Sequence, residues 1–368
     1  MKVSIGTNIM KGSWGGGNRF ALSLLNHLKN RNWEVTTDLK DKDIDIILMT
    51  EPRKNSKTGA YNQVQISRYL IKKPDTIVVH RINECDERKK TKYLNSFLVR
   101  ANKVADHTIF ISNFLEDLFI RKGLFYNKDH SVIRNGADSE IFNKHGKKKW
   151  DGRSPVRVVT HHWGANYNKG FDIYGKLDLI KTINGKKVEF SYIGRVPDNF
   201  KFRNCKVIAP LDGKELSREL RSNHIYITGS INEPAGMHHI EGAMCGLPLL
   251  FRNSGALPEY CGDFGVMFDG PEDFKKKFAE LLENYEYYFN KIDEYPYNDY
   301  LMCERYREIF LELLEKRKFN LAKRRLKYLV IFIKEIGFSI KYGFLSKSRK
   351  ILNRYFGCKL KINYNWII

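Results

Sequence analysis

The segment EPAGMHHIEGAMCGLP, residues 233–248, places two carboxylates, a glycine turn and a helix start within sixteen residues. The apolar run Ile225–Thr228 ahead of it predicts a strand, and the helix-forming residues 237–245 after Gly236 predict a helix. The first amide N–H groups of a helix have no partner within the helix. A helix start near Gly236 would therefore bind a diphosphate or the hydroxyl groups of a sugar.

The two carboxylates of this segment suit two different parts of such a ligand. Glu233 stands before the predicted helix, and Glu241 lies over one turn inside it. A carboxylate accepts hydrogen bonds only, so the inner one can hold two vicinal hydroxyls such as those of a ribose. Two glutamates eight residues apart also occur on ordinary solvated helices, which is the alternative interpretation of the spacing alone.

A glycine-rich loop near the amino terminus is a second candidate for ligand contact. Residues 2–6 predict a short strand, residues 12–17 interrupt it, and an amphipathic helix follows. Glycine lets the backbone approach a ligand closely, so Gly15, Gly16 and Gly17 suit a position against a bound donor. An ordinary flexible turn is the alternative.

Two further apolar runs predict a parallel sheet in the first half of the chain. Residues 44–49 and 76–79 are almost continuously apolar, as strands covered on both faces are. His80 follows the second run, and ligands of open α/β sheets bind beyond the carboxyl ends of the strands. His80 is therefore a candidate site residue, with a structural hydrogen bond as the alternative.

Length and composition set the outer bounds. The 368 residues suit two domains of about 150 residues each and an appendage. The six cysteines are scattered without a C-x-x-C pair, and the first residues predict a strand and not a signal sequence, so we expect a cytoplasmic protein. All apolar runs are shorter than the roughly 20 residues of a membrane-spanning helix. The net charge of +22 indicates an anionic partner, which charge alone does not identify.

Several of these segments together resemble a known family. The string 228–259, the Gly-Gly-x-Asn sequence that ends the glycine loop, and residues 132–142 are similar to retaining glycosyltransferases of the family-4 type, and agreement runs from about residue 2 to about residue 310. The resemblance implies an α/β GT-B fold, with two Rossmann-like doubly wound domains facing a cleft. The expected parts are an acceptor-side domain (1–150), a nucleotide-sugar domain (151–300), a helix crossing back to the first domain (301–320) and a basic amphipathic helical tail (321–368).

The resemblance also implies roles for residues of the second domain. Glu233 would contact the transferred sugar, and Glu241 would hold the ribose. Lys169 and the amides near Gly236 and Met237 would stabilise the departing diphosphate, where charge develops in the transition state. Glu233 and Lys169 are therefore candidate catalytic residues, and the other three are candidate donor-binding residues.

The same resemblance leaves one cation unassigned. The family's arginine, five residues before the lysine, is replaced here by Gly164. Arg195 is our candidate donor-binding residue among the possible substitutes, which are His161, His162, Trp163 and Arg195. From the first domain, His80 would face the reacting sugar as a third candidate catalytic residue, and Gly15–Gly17 would approach the donor. No cofactor or essential metal is expected, because a lysine and a helix terminus can neutralise the diphosphate and adjacent histidines point to different faces.

The last part of the chain differs in composition. Residues 316–368 contain fifteen lysines or arginines and a single acid, Glu335. Apolar residues recur among them at helical spacing, as residues 326, 329, 330 and 333 show. This pattern suits a helix lying on an anionic membrane face and equally a basic helix packed on the domain. Nucleic acid is disfavoured, because no recognised nucleic-acid motif is present.

The expected reaction moves a sugar from a nucleoside-diphosphate sugar to a hydroxyl of a glycan or lipid-linked glycan, with retention of configuration. Synthesis of a cell-envelope polysaccharide such as lipopolysaccharide, on the inner face of the membrane, is the expectation from the resemblance and the tail. Two alternatives stay open: a sugar-nucleotide epimerase of the same fold, and a non-catalytic protein that binds anionic polymer or lipid. The sequence leaves the sugar, the base and the acceptor undecided.

Overall fold

The computed structural model describes residues 1–10, 12, 15–53, 56–121 and 129–356, and for residues 339–356 it describes the helical backbone alone. The end of the predicted basic tail, residues 357–368, lies outside the described residues. Within the described part, no helix is both long enough and apolar enough to span a membrane.

The first α/β unit is a six-stranded, fully parallel sheet with helices between the strands. Its elements are β1 (Lys2–Ile5), α1 (Gly16–Asn30), β2 (Glu34–Thr36), β3 (Ile46–Met49), α2 (Gln63–Lys72), β4 (Ile77–Ile82), α3 (Asp86–Lys89), α4 (Leu94–Asn102), β5 (His107–Phe110), α5 (Asn113–Arg121) and β6 (His130–Val132). The strand order is β2-β1-β3-β4-β5-β6, so the direction of winding reverses between β1 and β3. β3 and β4 are buried throughout, as strands covered on both faces must be.

The second unit has the same architecture. Its elements are β7 (Val156–His162), α6 (Phe171–Asp178), β8 (Thr182–Ile183), β9 (Lys186–Gly194), β10 (Lys206–Ile208), α7 (Gly213–Arg221), β11 (Ile225–Thr228), α8 (Met237–Met244), β12 (Leu249–Arg252), α9 (Leu257–Cys261), β13 (Gly265–Phe268), α10 (Phe274–Glu283) and α11 (Tyr285–Lys291). The parallel order is β10-β9-β7-β11-β12-β13, and β8 pairs antiparallel with β9. Here the winding reverses between β7 and β11. The prediction of two doubly wound α/β domains is confirmed.

Two long helices follow, α12 (Asp299–Glu315) and α13 (Leu321–Phe356), and both pack on the first unit. α12 lies against α1, where the rings of Tyr306 and Phe20 are 5.0 Å apart. α13 lies against α2 and is held by ion pairs of Arg324 with Asp106. The carboxyl-terminal part of the chain therefore covers the amino-terminal domain.

One predicted strand end is wrong in a way that affects the site. The apolar run suggested that β4 ends at Val79, but the strand continues to Ile82 and includes His80 and Arg81. The sheet accepts Arg81 because its guanidinium lies 3.9 Å from the centre of the Phe20 ring and donates to Asn135 Oδ1 over 2.9 Å. His80 is therefore inside the strand and not beyond it.

Candidate functional site

The carboxyl ends of the two sheets face one cavity of about 470 Å³. Its lining includes Thr7 and Thr50, which follow β1 and β3, and His162 and Glu233, which end β7 and follow β11. These are the strands at which the winding reverses in each domain. Since ligands of open α/β sheets bind at such reversal points, this cavity is the candidate site.

Helix α8 begins at this cavity, and the turn before it is held from the other domain. Ser112 Oγ donates to the carbonyl of Pro234 over 2.9 Å, and Asn135 Nδ2 donates to the carbonyl of Ala235 over 2.8 Å. Ala235 has a φ of 121°, a conformation that a non-glycine residue rarely adopts. Strain of this kind persists where the surroundings fix the backbone, and here two side chains of the first domain do so.

Gly236 and Gly16 have neighbours so close that a larger residue at either position would displace them. A Cβ atom on Gly236, the N-cap of α8, would lie 3.0 Å from Glu233 Oε1. A Cβ atom on Gly16, the first residue of α1, would lie 2.5 Å from Met237 Cγ. The starts of α1 and α8 therefore meet at the cavity, and the amide N–H groups of a helix start are suited to binding an anion.

Lys169 and Glu233 form the central ion pair of the site. Lys169 ends a 3₁₀ turn after β7, and its Nζ donates to Glu233 Oε2 over 2.8 Å. Glu233 Oε1 is buried and accepts no hydrogen bond in the described structure. Burial raises the pKa of Glu233, but Lys169 and Arg88 outweigh it and hold that pKa below its ordinary value. Burial lowers the pKa of Lys169. The pair thus offers one open acceptor atom on an ionised carboxylate.

Arg88, which sequence reasoning missed, supplies the second cation. It lies in α3 of the first domain, lines the cavity, and its Nε is 3.8 Å from Glu233 Oε1. Its Nη1 donates to both carboxylate oxygens of Glu84, over 3.1 and 3.2 Å. Burial opposes its charge, but Glu233 and Glu84 outweigh burial and raise the pKa of Arg88. A signal was present in the sequence, because Arg88 follows a buried strand at the ligand-binding edge.

Glu241 lies inside α8, and each of its two oxygens has a protein partner. Arg19 Nη1 of α1 donates to its Oε1 over 2.9 Å, and His161 Nε2 lies 2.6 Å from its Oε2. Arg19 also bridges to Asp212 beside α7. Burial raises the pKa of Glu241, but Arg19 and His161 outweigh it and lower the pKa below its ordinary value. Arg19 was not predicted, although it stands directly after the glycine loop.

The remaining predicted residues divide between the cavity and its surroundings. Gly15, Gly16 and Gly17 line the cavity with Met237. Arg195 is exposed and lies outside the cavity lining, and its guanidinium covers the ring of Trp163, which belongs to the lining, at 4.5 Å.

His80 lies outside this cavity lining. It is completely buried in β4, where Asn102 Nδ2 lies 3.1 Å from its Nδ1. Burial lowers the pKa of His80 to about 3. The prediction that His80 stands beyond the strand is wrong, and the structural hydrogen bond that was its alternative is present.

One histidine of each adjacent pair, His162 and His238, has a hydrogen-bonding partner in the protein. His162 Nε2 lies 2.7 Å from the Tyr174 hydroxyl, and His238 Nε2 lies 2.9 Å from Thr228 Oγ1. Burial lowers the pKa of both rings, so they are neutral hydrogen-bonding groups. Among the residues that the structure describes, no group of three or more His, Cys, Asp or Glu side chains is placed to hold a metal ion. That the reaction needs no metal stays a prediction.

A separate part of the lining is apolar and faces the ends of β9 and β10. It consists of Ile193, Gly194, Pro210, Leu211 and Leu216. This surface lies on the second domain and can take a flat, poorly hydrated ring. The cavity therefore combines an apolar wall, a carboxylate with basic partners at α8, and the two facing helix starts.

Comparison with known proteins agrees with this geometry. Residues 183–298 match the model of the family glycosyl transferases group 1. A search of curated protein sequences gave no significant match. Among solved structures, sucrose-phosphate synthase from Thermosynechococcus elongatus is similar, with 12% identity, a TM-score of 0.59, and coverage of 86% of this chain and 99% of that one.

Two further structures show the same fold. The Anabaena protein HepE, solved in complex with UDP and glucose, is 12% identical with a TM-score of 0.59, over 85% of this chain and 99% of that one. The catalytic domain of starch synthase IV from Arabidopsis thaliana, bound to ADP and acarbose, is 11% identical with a TM-score of 0.55, over 85% and 99%. This chain therefore has the GT-B fold, and residues 183–298 of its second unit match the model of the glycosyl transferases group 1 family.

Proposed function

We propose that this protein is a retaining glycosyltransferase that moves a sugar from a nucleoside-diphosphate sugar to a hydroxyl of a glycan or lipid-linked glycan. The observation that carries the proposal is the open Oε1 of Glu233, buried at the start of α8 between Lys169 and Arg88. An acceptor-only atom there suits a sugar hydroxyl, and the cations beside it suit the diphosphate.

The donor fits the cavity in one direction. Its base would lie on the apolar wall by β9 and β10, its ribose hydroxyls at Glu241, and its diphosphate between the starts of α1 and α8. The ribose would compete with Arg19 for Glu241, because each carboxylate oxygen already has a protein partner. HepE has been solved with UDP and starch synthase IV with ADP, which supports a UDP or ADP class of donor.

In the reaction, the bond between the anomeric carbon and the phosphate oxygen breaks, and the acceptor oxygen bonds to that carbon. Lys169, Arg88 and the amides near Met237 stabilise the negative charge that develops on the departing phosphate. Glu233 is a poor base, because its pKa is held low. The acceptor proton therefore passes to the departing phosphate oxygen, on the face that the phosphate leaves, and the configuration is retained.

The test is a thermal-shift and hydrolysis screen against nucleoside diphosphates and their sugars. A donor at a hundred times its Kd stabilises the fold by about 2.7 kcal/mol, which raises Tm by several degrees. We expect one nucleotide class to do so and to release sugar slowly, with both effects lost in Lys169→Ala and Glu241→Ala. The matched controls are Lys176→Ala and Glu272→Ala, which alter an exposed ion pair of the same domain.

The product separates this proposal from its alternatives. A retaining transferase that slowly hydrolyses its donor releases a sugar with the donor's anomeric configuration. NMR of the fresh product would show that configuration. A sugar nucleotide of altered configuration would identify an epimerase. If no nucleotide stabilises the folded protein, the donor site itself is refuted.

A further inference from the structure

Helix α13 has one face that packs on the first domain. Arg324 pairs with Asp106, and Tyr328 is completely buried. Two turns further on, Glu335 Oε1 lies 3.3 Å from Arg100 Nε, and Gln63 Nε2 of α2 donates to its Oε2 over 2.9 Å. The spacing of 324, 328 and 335 places these three residues on one side of the helix.

The opposite face of α13 exposes large apolar side chains. Residues 326, 330 and 333 lie about half a turn round the helix from 324, 328 and 335, so they point away from the domain. The exposed apolar stripe consists of Leu326 at 61%, Leu329 at 41%, Val330 at 42%, Ile333 at 59% and Ile336 at 37% exposure. A contiguous exposed apolar patch of this kind is typical of a surface that binds a partner or a membrane.

Positive charge borders the stripe. Lys323 and Lys334 are exposed on the helix surface between the stripe and the packed face. They belong to a segment, residues 316–368, in which basic residues outnumber acids by fifteen to one. The one acid, Glu335, is turned inward and paired with Arg100. The surface of the described part of this helix is therefore apolar and cationic.

We propose that α13 lies flat on an anionic lipid bilayer through the exposed apolar stripe, and so holds the first domain at the membrane surface. The combination of an apolar face with flanking lysines suits the boundary between acyl chains and anionic headgroups. A second copy of this chain fits the stripe less well, because it would bring lysines of the same sign together. This proposal is independent of the donor site.

The test is co-flotation of the full-length protein with vesicles of neutral lipid and with vesicles that contain anionic lipid. We expect binding to the anionic vesicles only, weakened by salt. Leu326→Ser with Ile333→Ser should weaken it at least tenfold, because two apolar side chains no longer enter the bilayer. Lys323→Gln and Lys334→Gln should each weaken it roughly five-fold.

The matched control is Leu179→Ser with Leu301→Ser, which removes two leucines that are 56% and 54% exposed elsewhere on the surface. It should bind vesicles as the unaltered protein does, and all variants should keep their Tm. Equal binding by the stripe variant and the control would overturn the proposal, as would equal binding to neutral vesicles. A dimer in size-exclusion chromatography that only the stripe variant loses would assign the stripe to a second copy and overturn it too.

Discussion

Glu233 and Glu241 are similar carboxylates with different partners. Glu233, before the helix, has one oxygen paired with Lys169 and one that accepts no hydrogen bond in the described structure. Glu241, inside the helix, has one oxygen on Arg19 and the other beside His161. A hydroxyl at the sugar end of the site therefore meets an open acceptor atom, whereas a hydroxyl at the ribose end competes with Arg19. We therefore expect changes at the Glu233 end to affect turnover, and changes at Glu241 to affect donor binding.

The largest expected effect is at the sugar end. Lys169→Met leaves Glu233 without its closest cation and the departing phosphate without a stabilising charge. We expect turnover to fall by about 10²- to 10³-fold, the usual result of removing one donor that stabilises transition-state charge. The measurement is kcat with the donor identified in the screen. Lys176→Met is the control, and a change confined to KM would show that the sugar end, like the ribose end, serves binding alone.

A smaller effect is expected at the ribose end. Glu241→Gln should weaken nucleotide binding about tenfold, because an amide is a weaker acceptor for two hydroxyls than a carboxylate. Arg19→Gln should instead tighten nucleotide binding, since the ribose no longer competes with Arg19 for Glu241. Calorimetric titration measures both, with Arg31→Gln, at the residue that follows α1, as the control. Weaker binding in Arg19→Gln would show that Arg19 is itself a ligand of the donor.

The smallest effect concerns pH. His239 lies on α8 between the two glutamates, completely buried, and burial lowers its pKa to about 4. In the unfolded chain the His239 ring takes up a proton near pH 6.5, whereas in the folded protein it does so only near pH 4. The free energy of unfolding is therefore unaffected by this ring above pH 6.5, and it decreases as the pH falls from 6.5 towards 4. Between pH 6 and pH 5 the loss is about 1 kcal/mol.

His239→Gln should remove this part of the pH dependence. Urea denaturation at pH 6 and pH 5 measures it, and the exposed His145→Gln serves as the control. An unchanged slope in His239→Gln would mean that the ring is not kept neutral between the two carboxylates.

The sequence was informative where the determinants are close together in the chain. The strand β11, the breaker Gly236 and the helix α8 follow each other directly, so the start of α8 could be predicted. Arg88 and Glu233 are 145 positions apart, and Arg19 and Glu241 are separated by 222. Such pairs depend on how two domains meet, and one sequence carries no local pattern for that.

The error at His80 has a different cause. The apolar pattern stops at Val79 because Arg81 is charged, and a charged residue normally marks the end of a buried strand. Here the Phe20 ring and the Asn135 side chain accommodate the guanidinium inside the protein. These tertiary contacts stabilise a charged residue within a buried strand, which the local sequence pattern does not predict. The strand therefore continues past Val79, and His80 is buried in it.

The position of α12 has a consequence for how this protein is made. Its side chains Met302, Tyr306 and Phe310 share one buried cluster with Val3 and Ile5 of β1. A ribosome delivers those first strand residues about 300 positions before the helix that covers them. The first domain therefore lacks α12, and its core stays partly exposed, while the second domain is synthesised and is free to fold. We expect the second domain to become resistant to protease first on nascent chains, although it comes later in the sequence.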